Sequence, residues 1–302
     1  MNPIRFDNRV AIITGAGGGL GRTYALDLAK RGAQVVVNDL GVSNHGEGSG
    51  RGPAQAVVKE IETLGGEALA NTESVSDFSA AARMVEEAID HFGRLDVVVN
   101  NAGFLRDRMF VSTSEEEWDA VIDVHLKGHF CVSKHACEYW RAQSKSGEAV
   151  DARIINTSSG AGLQGSVGQA TYSAAKAGIA ALTLVQSAEL GRYGVTSNAI
   201  APAARTRMTE AIFSDMKKPE DGIFDENDPA NVSPLVVWLG SPLSREVTGR
   251  VFEVKGGLIG VSGGWRDGPT FDRGAKWAPD EIGAKISELI AEVPASQKVY
   301  GS

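Results

Sequence analysis

The sequence predicts a single-domain α/β fold in which helices cover both faces of a doubly wound parallel sheet. Short apolar runs typical of buried parallel strands recur along the chain, and stretches with helical spacing of apolar residues separate them. This alternation favours β-α-β units. At 302 residues and 42% hydrophobic content, the chain is long enough for one such domain with a substantial core.

The predicted elements alternate along the whole chain. The strands are expected at 9–14, 33–39, 67–71, 95–100, 152–157, 194–200 and 250–254. The helices are expected at 19–31, 53–65, 77–92, 114–143, 169–191 and 230–240, and a further helix at 279–293.

A glycine-rich turn, Gly15-x-x-x-Gly19-x-Gly21, follows the first strand and opens the first helix. Glycines let the backbone approach a pyrophosphate, and a helix N-terminus presents free N–H groups to it. The second strand ends at Asp39, 18 residues after Gly21 (39 − 21). An acid there suits the ribose hydroxyls of NAD and repels the 2′-phosphate of NADP. The turn therefore predicts a Rossmann-type dinucleotide site that selects NAD.

A tyrosine and a lysine lie four residues apart in Tyr172-Ser-Ala-Ala-Lys176, so both project from one face of a helix. A lysine cation near a phenol lowers the pKa of the tyrosine, which makes it a usable general acid/base. Alone, such a pair also fits a surface tyrosine beside a solvated lysine. Ser159, 13 residues upstream (172 − 159), supports the catalytic interpretation, with Ser158 as an adjacent candidate.

These motifs, together with Asn100-Asn-Ala-Gly103 after an apolar run, resemble the short-chain dehydrogenase/reductase family over roughly residues 5 to 265. The resemblance implies hydride transfer between NAD and a secondary alcohol or ketone. It implies a catalytic set of Ser159, Tyr172, Lys176 and His125. It also implies a cofactor site formed by Gly15, Gly18, Gly19, Leu20, Gly21, Asp39, Ser74, Val75, Asn101, Ala102, Gly103, Tyr172 and Lys176.

His125 marks a departure from the family pattern. The family usually has an asparagine in the long mid-chain helix, where it supports a proton-relay water, and Val124-His125-Leu-Lys-Gly128 occupies that place here. Imidazole can donate, accept and shuttle protons near neutral pH. The alternative is that His125 only hydrogen-bonds across the sheet, and both interpretations stay open.

Several further segments are similar to one branch of the family, the (3R)-hydroxyacyl-CoA dehydrogenase unit of peroxisomal multifunctional enzyme type 2. These segments are 38–41, 105–108, 124–128, 207–209 and the insertion at 40–53. The branch implies a 3-hydroxyacyl-CoA substrate, with arginines that could meet the CoA phosphates: Arg106, Arg108, Arg205 and Arg207. Alternatives are a 17β-hydroxysteroid dehydrogenase, a 3-oxoacyl reductase and a catalytically inactive nucleotide-sensing scaffold.

Three segments break the β-α rhythm. The glycine-rich stretch 40–53 is expected to be a surface loop, with a flap beside the adenine as the alternative. The polar stretch 206–230 is long for an idle connection, which favours a substrate lid. We assign 1–265 to the catalytic domain and 266–302 to a C-terminal extension that packs on the body or on a partner subunit.

The composition limits which binding partners and which cellular location we expect. The net charge of −8 argues against nucleic acid, and no apolar run is long enough to span a membrane. Scattered histidines argue against a metal site, and two unpaired cysteines without a secretion signal favour the cytoplasm. In the family, helices equivalent to 114–143 and 169–191 pair between subunits, so we expect a homodimer or homotetramer.

Overall fold

A computed structural model describes residues 3–41, 50, 52–206, 218–220, 222–295 and 297–302. Within these ranges eight strands form one sheet. They are β1 Val10–Thr14, β2 Gln34–Asn38, β3 Glu67–Asn71, β4 Val97–Asn100, β5 Ala152–Thr157, β6 Val195–Ala203, β7 Val251–Lys255 and β8 Leu258–Val261.

The strands lie in the order β3-β2-β1-β4-β5-β6-β7-β8. All neighbours pair in parallel except β7 and β8, which are antiparallel. The strand order reverses between β1 and β4, and ligands of open α/β sheets bind at the carboxyl ends of the strands at such a point. The predicted doubly wound sheet is thus confirmed, with β8 as an additional edge strand.

Helices cover both faces of the sheet, as predicted. They are α1 Gly19–Lys30, α2 Gly52–Thr63, α3 Phe78–Phe92, α4 Glu115–Ile122, α5 Gly128–Lys145, α6 Gly160–Gln164, α7 Ala170–Leu190, α8 Ser233–Gly240 and α9 Pro279–Ala291. The strand side chains alternate between two cores. In β1, Ala11 and Ile13 join the core that includes α1, α2 and α8, whereas Val10 and Ile12 join the core that includes α3 and α5.

The predicted helix 114–143 is not a single α-helix. It consists of α4 and α5 joined by a π-helical segment, Asp123–Lys127. A π-helical turn holds one more residue than an α-turn and re-aims the side chains that it carries. Here it carries His125, which is buried.

The segment after β8 is largely exposed. The predicted apolar face of α9 is present, but Ile282, Ile286 and Ile290 are 37%, 45% and 63% exposed. What covers this face, the body or a partner subunit, stays a prediction. Beyond α9 the chain returns to the body, where Tyr300 pairs with Ser166.

The two other irregular segments fall partly outside the described residues, namely at 42–49 and 51 in the glycine-rich stretch and at 207–217 and 221 in the polar stretch. The ends of the first lie together, because the amide of Gly50 donates to the carbonyl of Leu40 at 3.0 Å. In the second, Arg205 forms an ion pair with Asp225. The expected roles as loop or flap and as lid remain predictions.

Candidate active site

The glycine turn between β1 and α1 is packed too tightly for side chains. Gly15 has a positive φ of 63°, and a Cβ there would lie 2.8 Å from the Cα of Ala102. A Cβ on Gly21 would lie 2.3 Å from the carbonyl oxygen of Gly15. These close approaches leave the N-terminus of α1 open to the groove at the carboxyl ends of β1 and β4, where its free N–H groups can hold phosphate oxygens.

Asp39 lies at the end of β2, beside the glycine turn. Its Oδ2 accepts from the amide of Gly17 and its Oδ1 accepts from the amide of Gly41, both at 2.8 Å. Two ionised carboxylate oxygens offer about four acceptor sites. The carboxylate is therefore fixed in place and still able to accept from vicinal hydroxyls.

Nearly all of the predicted cofactor residues line this one groove. The residues found there are Gly15, Gly18, Gly19, Leu20, Asp39, Ser74, Val75, Asn101, Ala102, Gly103, Tyr172 and Lys176. Gly21 is absent from the lining because it packs behind the turn. His125 also lines the groove, whereas Ser159 does not.

Two residues that the sequence did not predict also contribute: Thr157 lines the groove, and Thr14 is buried and holds residues that line it. The hydroxyl of Thr14 accepts from the amides of Asn101 and Ala102, at 2.9 and 3.0 Å, and so ties the end of β1 to the segment after β4. The carbonyl of Thr157 accepts from Lys176 Nζ at 2.6 Å. Thr14 and Thr157 are the last residues of β1 and β5, and nothing in the local sequence pattern marks either residue as part of the site.

Tyr172 and Lys176 lie on consecutive turns of α7, as the i, i+4 spacing predicts. Lys176 Nζ lies 5.4 Å from the centroid of the Tyr172 ring. Ser159 caps the short helix α6, and its Oγ accepts from the amide of Ala161 at 3.2 Å. The Ser159 hydroxyl also lies close enough to Tyr172 to lower the pKa of the tyrosine. Three of the four predicted catalytic residues are thus brought together.

The expected fall in the tyrosine pKa is wrong for this structure. Burial raises the pKa of Tyr172 to about 12, and the nearby Ser159 hydroxyl only partly opposes the rise. Burial also lowers the pKa of Lys176 to about 7, so near neutral pH much of its cationic charge is lost. Desolvation outweighs the expected stabilisation of the phenolate by the Lys176 cation, so Tyr172 is a protonated phenol in this structure.

Ser158 has a different role from Ser159. It is buried, and its Oγ donates to the backbone carbonyl of Lys176 at 2.8 Å. This bond fastens the end of β5 to α7. Of the two serines, only Ser159 has its hydroxyl at Tyr172.

His125 lies beneath the segment that follows β4. Its Nε2 is 3.1 Å from the amide nitrogen and 2.7 Å from the carbonyl oxygen of Phe104. A Cβ on Gly103 would lie 2.2 Å from the imidazole Cε1, so glycine is required there. Burial, reinforced by the charge of Lys176, holds the pKa of His125 well below its ordinary value, and the ring is neutral. Among the described residues, the buried Nδ1 has no hydrogen-bond partner.

Three of the four candidate CoA arginines contact other groups of the protein. Arg108 forms an ion pair with Glu117, with 2.9 Å between Nε and Oε1, and Arg205 pairs with Asp225. The guanidinium of Arg106 lies 5.6 Å from the centroid of the Phe104 ring. Arg207 lies outside the described residues. A phosphate would therefore compete with Glu117 for Arg108.

The described ranges of the chain contain neither a metal-ligand cluster nor a helix suited to a bilayer. No group of three or more His, Cys, Asp or Glu side chains there could hold a metal ion. No helix in those ranges has both the length and the apolar character needed to cross a bilayer.

The groove fits a nicotinamide dinucleotide. The open N-terminus of α1 suits the pyrophosphate, and Asp39 at one end suits ribose hydroxyls. Tyr172 and Lys176 at the other end suit hydride chemistry at a carbinol or carbonyl carbon. Thr157, whose buried Oγ1 has no partner among the described residues, also lines the groove.

Comparisons with known proteins agree with this site. The family model of the short chain dehydrogenases, whose members use NAD or NADP, matches residues 9–217. Hydroxyacyl-CoA dehydrogenase ChsB1 of Mycobacterium tuberculosis is 44% identical, over 96% of this chain and 91% of its own length. Peroxisomal multifunctional enzyme type 2 of Mus musculus is 47% identical over 86% of this chain, which spans only 33% of that enzyme. The crystal structure of a short chain dehydrogenase from Mycobacterium avium superposes with a TM-score of 0.88 at 57% identity, covering 98% of this chain and 99% of that one. The chain is thus an oxidoreductase of the short-chain dehydrogenase/reductase family.

Proposed function

We propose that this oxidoreductase uses NAD to oxidise a (3R)-3-hydroxyacyl-CoA to the 3-oxoacyl-CoA. The observation that carries the proposal is the groove with Asp39 at one end and Tyr172 with Lys176 at the other. The carboxylate supports NAD over NADP. The acyl-CoA class rests on the similarity to the two relatives named above, and the 3R configuration rests on the resemblance to the peroxisomal branch.

The proposed roles follow from the geometry. NAD held in this groove would supply the hydride acceptor for the carbinol carbon. Tyr172, ionised to the phenolate, takes the proton from the substrate hydroxyl in oxidation, and the resulting phenol returns it in reduction. Ser159, whose hydroxyl lies near Tyr172, holds the substrate oxygen beside the phenol. Lys176, anchored on the Thr157 carbonyl, supplies a donor beside Tyr172 whose charge favours phenolate when it is protonated.

We further propose that His125 is one end of a proton path from Tyr172. Its neutral ring packs on Tyr172, and its Nδ1 is turned away from the Phe104 backbone that holds Nε2. A buried nitrogen without a partner is costly unless a water or a transferred proton satisfies it. In the alternative role, His125 only links its helix to Phe104 through hydrogen bonds of Nε2, and Nδ1 takes no part.

The substrate class is tested with kinetics on matched compounds and NAD. We expect kcat/KM for a (3R)-3-hydroxyacyl-CoA to exceed that for the corresponding free acid at least roughly tenfold, which is about 1.4 kcal/mol of extra transition-state binding. The 3S thioester should be the poorer isomer. Comparable kinetics for a hydroxysteroid would favour the steroid alternative. Faster turnover of a 3-oxoacyl substrate with NADPH would favour the reductase alternative.

Arg108 offers a second test of the thioester. Arg108→Ala should raise KM for the CoA thioester more than for the free acid, because only the thioester brings phosphates. Glu117→Gln is the matched control. It removes the partner carboxylate, leaves Arg108 free for a phosphate, and should lower that KM or leave it unchanged. Equal effects of Arg108→Ala on both substrates would contradict phosphate binding by this residue.

We also propose a homodimer or homotetramer in the cytoplasm. Exposed apolar side chains on the long helices support an assembly, namely Trp118, Phe130, Leu184 and Val185 at 40%, 45%, 54% and 52% exposure. Two free cysteines, Cys131 and Cys137, are consistent with a reducing compartment. A monomer at micromolar concentration in light scattering would contradict the assembly.

A further inference from the structure

The segment 299–302 lies against the stretch that separates two catalytic residues. The amide of Tyr300 donates to the carbonyl of Gly165 at 3.2 Å, and the amide of Val167 donates to the carbonyl of Tyr300 at 2.8 Å. Ser166 and Tyr300 thereby pair as in a parallel sheet. The segment 299–302 is thus attached by backbone hydrogen bonds to residues between Ser159 and Tyr172.

The side chain of Tyr300 reaches back to the residue that follows Ser159. A Cβ on Gly160 would lie 2.8 Å from the Tyr300 hydroxyl oxygen and 3.0 Å from its Cε2. The edge of the phenol ring therefore rests directly on the Gly160 backbone. Gly160 is also the first residue of α6, the helix that Ser159 caps.

The same stretch is held on another side by the residues after β4. The amide of Arg108 donates to the carbonyl of Gly168 at 2.8 Å, and the side-chain amide of Gln169 donates to Asp107 at 3.0 Å. The stretch has four glycines, at 160, 162, 165 and 168. Glycine-rich backbone loses more conformational entropy on ordering than any other, so contacts from outside must define its geometry.

We propose that Tyr300 is a positioning residue for catalysis: its ring, packed on Gly160, fixes the backbone from which Ser159 presents its hydroxyl to Tyr172. A displacement of about 1 Å in a catalytic group can cost about a hundredfold in rate. The inference rests on the proposed role of Ser159 in holding the substrate oxygen. It concerns Tyr300 acting through Gly160, and assigns Tyr300 no chemistry of its own.

The first test compares Tyr300→Ala with Tyr300→Phe and with a control in the same exposed segment, Lys298→Ala. We expect Tyr300→Ala to lower kcat at least roughly tenfold, because the Ser159 hydroxyl is displaced from its catalytic position. The Kd for NAD should stay unchanged, because the cofactor groove is intact. Tyr300→Phe keeps the ring edge on Gly160 and should restore most of kcat. Lys298→Ala should match the wild type. An equal loss in the Phe and Ala variants, or a wild-type kcat in the Ala variant, would overturn the proposal.

A double-mutant cycle with Gly160→Ala isolates the contact. The new methyl group would collide with the far end of the Tyr300 side chain and displace the ring, so Gly160→Ala should lower kcat as Tyr300→Ala does. Because both changes break the same contact, the double variant should lose no more than the worse single variant. Strictly additive losses would show that Gly160 and Tyr300 act independently and would refute the inference.

A third readout does not depend on the identity of the substrate. Hydrogen exchange of the Val167 amide should be faster in Tyr300→Ala than in Lys298→Ala, because the ring anchors the segment 299–302 that accepts from this amide. Unchanged exchange would contradict the proposal. If the wild type turned over no 3-hydroxyacyl-CoA while the exchange difference was present, the proposed substrate would fail and the Tyr300 contact would stand. The cycle would then be run with whichever alcohol the wild type oxidises.

Discussion

The His125 ring stands edge-on to the Tyr172 ring, with the centroids 5.2 Å apart and the ring planes at 89°. The imidazole thus packs against the phenol, while the backbone of Phe104 forms hydrogen bonds with Nε2. Because its pKa is far below the ordinary value, His125 contributes no positive charge to the site. It can pass a proton only as a neutral donor and acceptor, or serve as a packing surface for Tyr172.

His125→Phe and His125→Asn separate these two roles. The Phe variant keeps a ring against Tyr172 but has neither nitrogen, and the Asn variant keeps donor and acceptor groups without the ring. If Nδ1 carries protons, kcat should fall about tenfold or more in the Phe variant and less in the Asn variant, with the Kd for NAD preserved in both. A Phe variant with wild-type kcat would leave His125 with a packing role only.

The two adjacent serines should respond differently to truncation. Ser159→Ala removes the hydroxyl at Tyr172 and should lower kcat about 10²–10⁴-fold. It also removes the cap of α6, which should cost about 1 kcal/mol of unfolding free energy. Ser158→Ala removes the bond to the Lys176 carbonyl and should cost about 1 kcal/mol of unfolding free energy with a mild effect on kcat. Steady-state kinetics and urea unfolding of both variants check this. The reverse pattern would transfer the catalytic role to Ser158.

Asp39 should set the choice of cofactor. A fixed carboxylate facing the 2′-phosphate of NADP costs several kcal/mol, so kcat/KM with NAD should exceed that with NADP by at least about a hundredfold. Asp39→Ala should narrow this gap, and it should also weaken NAD binding because the amides of Gly17 and Gly41 lose their acceptor. Asp39→Asn, which keeps one acceptor oxygen, is the control for that second effect. Equal or better kinetics of the wild type with NADP would contradict the assignment.

Lys176 should make stability depend on pH. Its pKa falls from 10.5 in the unfolded chain to about 7 in the folded protein. Between these values the unfolded chain binds the extra proton, so the Lys176 contribution to the unfolding free energy rises with pH from about 7 to 10.5. Lys176→Met has no such group. The unfolding free energy of the wild type relative to this variant should therefore increase from roughly pH 7.5 to roughly pH 9.5. Urea unfolding at these two pH values measures it. A difference independent of pH would mean that Lys176 is charged in the folded state.

Much of the fold could be predicted from the sequence because its signals are local. The apolar runs at β1, β2 and β4 are buried on both faces and stand out from the helices between them. The edge strand β8, Leu258-Ile-Gly-Val261, gave no such signal because it is short and largely exposed. Its position depends on pairing with β7, which a single segment cannot reveal.

The site was predictable where residue spacing defines the geometry. The spacing of Tyr172 and Lys176 places both on one face of α7, and the glycine turn leaves the N-terminus of α1 open to the groove. The electrostatics were not predictable, since the pKa of Tyr172 depends on burial by the whole fold. The π-helical turn that aims His125 and the return of Tyr300 to Gly160 were also missed. The π-helical turn is a local departure in backbone geometry. The contact between Tyr300 and Gly160 arises from packing between residues that are distant in sequence.

The most direct test of the account is the turnover of Tyr172→Phe with NAD and a (3R)-3-hydroxyacyl-CoA, measured as NADH formation beside the Kd for NAD. The variant keeps the ring that packs on His125 and lacks only the hydroxyl that takes the proton. We predict that kcat falls about 10²–10⁴-fold while NAD binds as in the wild type. In the wild type, oxidation should accelerate as the pH rises toward the Tyr172 pKa of about 12, because the phenolate is the base. Near-normal turnover by Tyr172→Phe would contradict the central claim that Tyr172 is the general acid/base of this oxidoreductase.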